Sequence, residues 1–385
     1  MNMTVMPQSK LNSVQALRGL AALFVLIYHI SQQQLYAIGA IGASARTPTV
    51  DLWLLSGPWN QGYAGVDLFF VISGFIMVYV TQKFAKNAGQ KAADVAAFLY
   101  KRIVRIYPLW WVFASVMGGY YFLSKGIWAS PHFGFSAPES FIYFFKSLAL
   151  IPQGHLPVLG VGWTLIHEMQ FYLIFALLLL APRRYLPVLL GGWAGLNIAG
   201  YYMGLAKLSA IASVLFSPFS LQFIIGAAVA LLIVKRIYVA PKICLALGVV
   251  AICVAILVNM DSISVLKPSS RLFFYGLPFA VIIYGLCVLE QQGRLNIPRG
   301  LVHLGDWSYS LYLSHYIVLI IIGRLGRELM PYLPESIVSN FSIGTAGLID
   351  NIAYSIAALI LAIIAAGISF YIIERPLLRL ARRGK

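Results

Sequence analysis

The chain has 385 residues, of which 60% are hydrophobic and only 10% carry a charge. Soluble domains carry about 25% charged residues, so this composition excludes a soluble globular protein and indicates a polytopic, all-α membrane protein. In a soluble protein the formal net charge of +16 would suggest a nucleic-acid partner. In a membrane protein it reflects basic cytoplasmic loops, so we expect membrane lipid and no nucleic acid as a partner.

Ten apolar stretches are each long enough, or nearly so, to cross a bilayer as a helix. They cover residues 13–33, 63–82, 103–123, 163–181, 185–203, 211–234, 243–260, 272–290, 306–323 and 352–374. With a cytoplasmic N-terminus, most of the 28 Lys and Arg residues lie on the cytoplasmic side, so both termini are predicted to be cytoplasmic. Residues 1–385 form one predicted membrane domain. The short apolar segment 139–151 is predicted to be interfacial or re-entrant.

The first stretch could be mistaken for a cleaved signal peptide. This alternative is disfavoured because the stretch carries Arg18 and His29 and many further spans follow. The three cysteines, Cys244, Cys253 and Cys287, lie in apolar runs without a CxxC pair. No disulfide framework and no metal site are therefore predicted.

Arg18 and His29 share one face of the first predicted helix. They are separated by eleven residues, or about 16 Å along the helix axis and within about 20° of three full turns. An ionisable residue at mid-depth is costly and usually serves a pathway or a reaction. The functional interpretation is a histidine base above a cation. The alternative is a snorkelling arginine and a hydrogen-bonded packing histidine.

Two acidic residues enter the membrane from the outer side. Asp67 opens the stretch 63–82, where it could orient a histidine, bind a sugar hydroxyl or complement the helix dipole. Glu168 lies in the outer half of the stretch 163–181, and a carboxylate inside an apolar span is rarely structural alone. The pair His167-Glu168 begins like an HExxH motif but does not continue as one, so no zinc site is predicted.

Basic residues gather at the predicted cytoplasmic boundary. Arg102 and Arg105 are spaced i, i+3 on one helix face, where they could capture a phosphorylated donor or bind lipid phosphate. Arg375 lies at the inner end of the last span, and its neighbour Glu374 is predicted to pair with the arginine cluster. His315 lies about nine residues into the stretch 306–323, at a depth similar to that of His29. Its alternative role is helix packing.

Taken in order, six stretches resemble the acyltransferase-3 family of polytopic membrane enzymes, and in particular bacterial exopolysaccharide acetyltransferases. The matching residues lie within 17–29, 65–74, 102–108, 163–172, 305–315 and 374–376. The resemblance implies transfer of an acyl group, usually acetyl, from cytoplasmic acyl-CoA to a hydroxyl of an extracytoplasmic glycan. It also implies a location in the bacterial inner membrane, with acetyl-CoA as the donor substrate.

The resemblance places the functional arginine and histidine of the family at Arg18 and His29, and its arginine pair at Arg102 and Arg105. We expect His29 to act as the base, oriented by Glu168 or, as second choice, by Asp67. Trp163 and His315 are expected to contact the substrate, and Arg375 to join the donor-binding arginines. A glycan or lipid-linked saccharide is the expected acceptor, and a polysaccharide-synthesis complex a possible partner. An acetyl-histidine intermediate is the alternative to base catalysis.

Two functions from other classes compete with the enzyme. A proton-coupled transporter or glycan flippase could use His29 and Glu168 as a proton relay, but the inverted repeats typical of transporters are not found in the sequence. The second competing function is that of a scaffold protein in a polysaccharide-synthesis complex. The intact set of polar residues in the spans argues against it. The sequence therefore favours a membrane O-acetyltransferase.

Overall fold

The structure is a computed structural model that describes residues 11–41, 57–82, 84, 88–259, 265–336 and 348–383. Within these ranges every regular element is a helix, which confirms the predicted all-α fold. The helices in chain order are α1 (Asn12–Ile41), α2 (Ala64–Val80), α3 (Ala88–Lys125), α4 (Ala137–Leu148), α5 (Trp163–Leu180), α6 (Leu186–Tyr202), α7 (Ala210–Leu215), α8 (Phe219–Val234), α9 (Pro241–Val258), α10 (Pro268–Gln291), α11 (Arg299–Leu329), α12 (Leu348–Ser369) and α13 (Arg375–Arg383).

Among the described residues, 8 helices are long and apolar enough to cross a membrane. The predicted spans outside this set are 103–123, which lies within the 38-residue helix α3, and 185–203, which corresponds to the 17-residue helix α6. Helix α3 carries charged residues along its first half, and α6 is one residue short of 18. The exact number of spans and the side of each terminus stay predictions, since both chain ends lie outside the described residues.

The helices pack around a centre formed by α1, α2, α8 and α11. Helix α1 packs against α2 and α11, and α2 packs against α8. The α2–α8 crossing depends on two glycines. A Cβ on Gly74 would lie 1.8 Å from the carbonyl oxygen of Phe223, and a Cβ on Gly226 would lie 1.9 Å from that of Val71. Small residues let membrane helices approach this closely, so the two backbones are in direct contact.

Helices α2 and α5 begin beside the middle of their neighbours. The 3-10 turn Pro58–Tyr63 precedes α2, and Asn60 in it accepts a hydrogen bond of 2.6 Å from Gln32 of α1. Thr164, in the first turn of α5, contacts the hydroxyl of Tyr312 in the middle of α11 at 2.8 Å. Both helices therefore start well inside the bundle and not at the ends of α1 and α11.

Helix α4 lies against α3 and ends near its middle. The side chains of Tyr107, Trp110 and Trp111 donate hydrogen bonds of 3.0–3.2 Å to the carbonyls of Ala149, Ser147 and Leu148. These donors satisfy carbonyl groups at the end of α4 that the helix itself leaves unpaired. The segment 139–151 stays a predicted interfacial or re-entrant segment.

Two π-helical turns interrupt the regular helices. One covers Leu272–Gly276 within α10, and the other covers Phe370–Glu374 between α12 and α13. A π turn accommodates one extra residue and commonly lies at a functional position. Here each turn adjoins a buried charged side chain, Arg271 before the first and Glu374 at the end of the second.

Candidate active site

A cavity lies between α1, α2, α3, α5 and α11, with an empty volume of about 760 Å³ that includes its open mouth. Arg18, Arg102 and Arg105 all line it. These arginines come from α1 and α3, which are far apart in the sequence. The fold therefore brings three of the four predicted donor-binding cations into one cavity.

Arg105 is fixed by a buried carboxylate. Its Nη1 atom lies 3.3 Å from Oε1 of Glu374, whose side chain is only 2% exposed. The other carboxylate oxygen of Glu374 accepts a hydrogen bond of 2.7 Å from the hydroxyl of Ser310. The prediction that Glu374 pairs with the arginine cluster is confirmed.

Arg102 is held by aromatic rings. Its guanidinium carbon lies 5.4 Å from the ring centre of Phe98 and 5.9 Å from that of Tyr172, which are cation–π distances. Its Nε atom is buried and has no hydrogen-bond partner among the residues that the structure describes. Because a buried donor without a partner is costly, this N–H is available to an anionic ligand in the cavity.

Glu168 belongs to the same cavity and not to His29. Its Oε1 atom accepts a hydrogen bond of 2.8 Å from the hydroxyl of Ser73 and another from the hydroxyl of Tyr172. The structure therefore does not bring Glu168 into hydrogen-bond contact with His29. The reason is the depth at which α5 begins, since Glu168 lies more than one turn below Trp163 and reaches the level of Arg18.

His29 and His315 meet across α1 and α11. The Nε2 atom of His315 lies 3.3 Å from Nδ1 of His29, and the ring centres are 5.0 Å apart. Each Nδ1 atom also lies 2.9 Å from the carbonyl oxygen four residues earlier, that of Val25 for His29 and that of Leu311 for His315. The two histidines lie at the same depth, as the sequence predicted. His315 is fully buried.

Two aromatic rings lie where the cavity approaches the histidines. Phe69 and Tyr312 line the cavity with ring centres 5.7 Å apart, and the Tyr312 ring lies 6.0 Å from that of His315. The Tyr312 hydroxyl donates a hydrogen bond of 2.9 Å to the carbonyl of Val161. Tyr312 therefore contacts both the cavity and the histidine pair.

Asp67 forms a buried ion pair with Arg271. Its carboxylate accepts hydrogen bonds of 2.7–3.2 Å from the Nη2 and Nε atoms of Arg271, and a further one from Gln222. The guanidinium of Arg271 lies between the rings of Tyr63 and Phe219, at 4.8 and 4.9 Å. The carboxylate is thus engaged by Arg271 and Gln222, and the structure does not bring it into hydrogen-bond contact with His29.

Comparison with known families decides the class. A family model described as an acyltransferase domain matches residues 11–371, nearly the whole chain. The chain belongs to the acyltransferase-3 family. It is therefore a multi-pass membrane acyltransferase. No solved structure matches it at a significant level.

Two relatives resemble the chain over most of their length. Acyltransferase MdmB of Streptomyces mycarofaciens is 27% identical over 401 residues, which cover 97% of this chain and 93% of MdmB. Exopolysaccharide production protein ExoZ of Rhizobium meliloti is 29% identical over 341 residues, which cover 83% of this chain and 91% of ExoZ.

The remaining predicted residues of this acyltransferase lie outside the cavity. Trp163 packs in an aromatic cluster with Phe70, His167 and Phe219, at ring distances of 5.3–6.2 Å. Arg375 is exposed, and its guanidinium lies over the ring of Tyr371 at 5.8 Å. The structure therefore does not bring Arg375 to the other three arginines.

Sequence reasoning did not identify Arg271 as a partner of Asp67. A signal was present, since Arg271 stands just before the apolar stretch 272–290, at its predicted outer end, where Asp67 also enters the membrane. Opposite charges at the same depth of two neighbouring spans are candidates for pairing, because neither charge is tolerated alone.

No group of three or more His, Cys, Asp or Glu side chains that could hold a metal ion is found in the described part of the chain.

Proposed function

We propose that this acyltransferase moves an acyl group, acetyl in the first place, from cytoplasmic acyl-CoA to a hydroxyl of an extracytoplasmic glycan or its lipid-linked precursor. The observation that carries the proposal is that Arg18 lines the arginine cavity while His29 lies about 16 Å further along the same helix. This distance is comparable to the reach of the pantetheine arm of acyl-CoA. Helix α1 thus carries both a residue of the proposed phosphate site, Arg18, and the proposed reactive residue, His29.

The donor side of the proposal is supported by charge. Phosphates bind well to clusters of guanidinium groups, because each guanidinium can donate several N–H hydrogen bonds to phosphate oxygens. Arg102 offers such a donor, and Arg105 is fixed in place by Glu374.

On the acceptor side, His29 provides the base. A sugar hydroxyl does not ionise near neutral pH, so its proton must be removed as the oxygen attacks the thioester carbon. The C–O bond forms, the C–S bond breaks, and the proton passes from the hydroxyl to His29 and then to the departing thiolate. In the alternative course, His29 first takes the acyl group itself and passes it to the hydroxyl in a second step.

The class of acceptor is supported by the relatives and the surroundings of His29. ExoZ is named for exopolysaccharide production. Close to His29, Gln32 of α1 and Asn60 of the turn before α2 carry neutral amide side chains that hydrogen-bond to each other at 2.6 Å. Neutral amides such as these suit a neutral, hydroxyl-rich acceptor. We place the enzyme in a bacterial inner membrane, where it could act within a polysaccharide-synthesis complex.

The transporter alternative has less support than the enzyme. It requires a proton relay between His29 and Glu168, yet Glu168 is hydrogen-bonded to Ser73 and Tyr172, whereas His29 contacts Val25 and His315. Membership of an acyltransferase family also favours the enzyme.

The test is the replacement His29→Ala in a host that displays the modified polysaccharide. The variant should reach the membrane in normal amount while the polysaccharide loses the mass of one acetyl group per modified sugar, read by mass spectrometry. His132→Ala, which alters an exposed histidine of the outer loop, is the matched control and should leave the acetyl content unchanged. Normal acetyl content in the His29→Ala strain would disprove the proposed chemistry.

A further inference from the structure

We propose that His315 is the positioning residue of this acyltransferase, which holds the His29 ring in the one tautomer that leaves its Nε2 atom free to react. The proposal rests on the proposed function of His29. It replaces the two carboxylates that the sequence suggested for this task with a second histidine and two backbone carbonyls.

The tautomers follow from the hydrogen-bond partners. A backbone carbonyl can only accept, so the ring nitrogen that contacts it carries a proton. The carbonyl of Leu311 thereby fixes the proton of His315 on Nδ1, and the Nε2 atom of His315 has a lone pair. The carbonyl of Val25 likewise fixes the proton of His29 on Nδ1.

The lone pair of His315 then faces the proton of His29. The 3.3 Å contact joins Nε2 of His315, as acceptor, to Nδ1–H of His29, as donor, so the two histidines support the same assignment. If His29 carried its proton on Nε2, its Nδ1 atom would have a bare lone pair. That lone pair would face the lone pair of His315 Nε2 and the carbonyl oxygen of Val25, with no hydrogen among the three atoms. The arrangement therefore excludes the other neutral tautomer.

This leaves Nε2 of His29 as the reactive atom. Among the described residues it has no hydrogen-bond partner, and the ring is enclosed by Tyr28 and Tyr316, at ring distances of 5.2 and 5.8 Å. An unprotonated Nε2 is what either course requires, because both a base and a nucleophile use the lone pair. His315 therefore has the same role whether His29 acts as a base or as a nucleophile.

His315 also stabilises the charged form of His29. When Nε2 takes the proton of the acceptor hydroxyl, the ring becomes a cation and its Nδ1–H bond to His315 becomes charge-assisted, which strengthens it. The proton returns from Nε2 to the thiolate that leaves the acyl carbon, so His315 gains and loses nothing in the cycle. It acts on the reaction only through the His29 ring.

The kinetic test compares His315→Gln with His315→Leu. The Gln side chain keeps an oxygen that can accept from Nδ1–H of His29, whereas Leu fills the space without an acceptor. Ser314→Ala is the matched control, because Ser314 is the buried neighbour on α11 and its hydroxyl has no partner among the described residues. Rates are measured with acetyl-CoA as donor and with the polysaccharide of a strain lacking this protein as acceptor.

We expect His315→Leu to lower kcat by about 100-fold or more, while the KM for acetyl-CoA changes by less than about threefold. His315→Gln should recover kcat to within about tenfold of the wild type, and Ser314→Ala should match the wild type. A wild-type kcat in His315→Leu, or an equal loss in the Gln and Leu variants, would overturn the role of His315 as an acceptor.

A second measurement does not depend on acyl transfer. Nitrogen-15 NMR of protein labelled at its six histidines distinguishes protonated from bare ring nitrogens, and the spectrum of His29→Gln assigns the His29 signals. We expect a protonated Nδ1 and a bare Nε2 for His29 in the wild type. In His315→Leu we expect a larger share of the Nε2-protonated tautomer, because only the carbonyl of Val25 is left to accept from Nδ1–H among the described residues. A bare Nδ1 in the wild type would refute the inference, whereas a wild type that transfers no acyl group would refute the proposed function instead.

Discussion

Arg271 donates hydrogen bonds to both carboxylate oxygens of Asp67, and the two side chains are 4% and 0% exposed. The pair joins the first turn of α2 to the start of α10. Its geometry is that of an ion pair that fixes two helices and not that of a reacting group.

Removal of either partner of this pair should destabilise the protein strongly. Asp67→Ala or Arg271→Ala leaves one buried charge unpaired, and we expect the free energy of unfolding to fall by about 3–5 kcal/mol. Unfolding in detergent measures the effect. Arg324→Ala is the control, since its ion pair with Glu328 is exposed and should contribute at most about 1 kcal/mol. Equal stability of Asp67→Ala and the wild type would contradict the structural role.

The arginine pair of α3 should control donor binding. In the double variant Arg102→Ala, Arg105→Ala we expect the KM for acyl-CoA to rise by roughly tenfold or more, because each hydrogen bond to a charged phosphate contributes about 1.5–3 kcal/mol. Steady-state kinetics with acetyl-CoA measure the change. Arg375→Ala, an exposed arginine outside the cavity, should leave the KM unchanged. An unchanged KM in the double variant would show that the pair does not bind the donor and instead contacts lipid phosphate at the membrane boundary.

Glu168 should influence the donor and not the base. Glu168→Gln keeps an oxygen that can accept from Ser73 and Tyr172 but removes a negative charge from the phosphate cavity. We expect the KM for acyl-CoA to fall and kcat to change by less than about tenfold. The same steady-state assay separates the two constants. A fall in kcat of much more than about tenfold at constant KM would instead show that Glu168 acts on the reacting atoms.

The glycine contact between α2 and α8 should tolerate no side chain. Gly226→Ala would place a Cβ 1.9 Å from the carbonyl oxygen of Val71, so the helices must separate, at a cost of about 1–3 kcal/mol or more. Thermal unfolding in detergent provides the measurement. Gly195→Ala in α6 is the control, because nothing lies within 4 Å of the added Cβ, and it should be neutral or slightly stabilising.

The sequence was sufficient for the fold class and for the groups that lie along one helix. The relation of Arg18 to His29 and that of Arg102 to Arg105 follow from helical periodicity alone, and the structure keeps both. The acidic residues were harder, because their depth was counted from the outer membrane boundary. Since α2 and α5 begin near the histidines, Asp67 and Glu168 lie deeper than that count implied.

The histidine pair could not be assigned from the sequence for a different reason. His29 and His315 are separated by most of the chain, and only the packing of α1 against α11 brings their rings together. A pattern within one helix gives the depth of a side chain but not its partner. Packing of His315 against a neighbour was one of the two predicted roles, and the neighbour is His29 itself.

The π turn Phe370–Glu374 makes one short segment of the last helix tolerant of a change in length. Deletion of one residue within 370–373 would remove the extra residue of the turn and restore a regular α-helix, with both flanks still in phase. The same deletion in the middle of α12 would rotate everything that follows by about 100° and turn Glu374 away from Arg105. A change of one residue in length is therefore accommodated within the turn that carries Glu374, and the helix before it cannot change in length without moving this carboxylate away from Arg105.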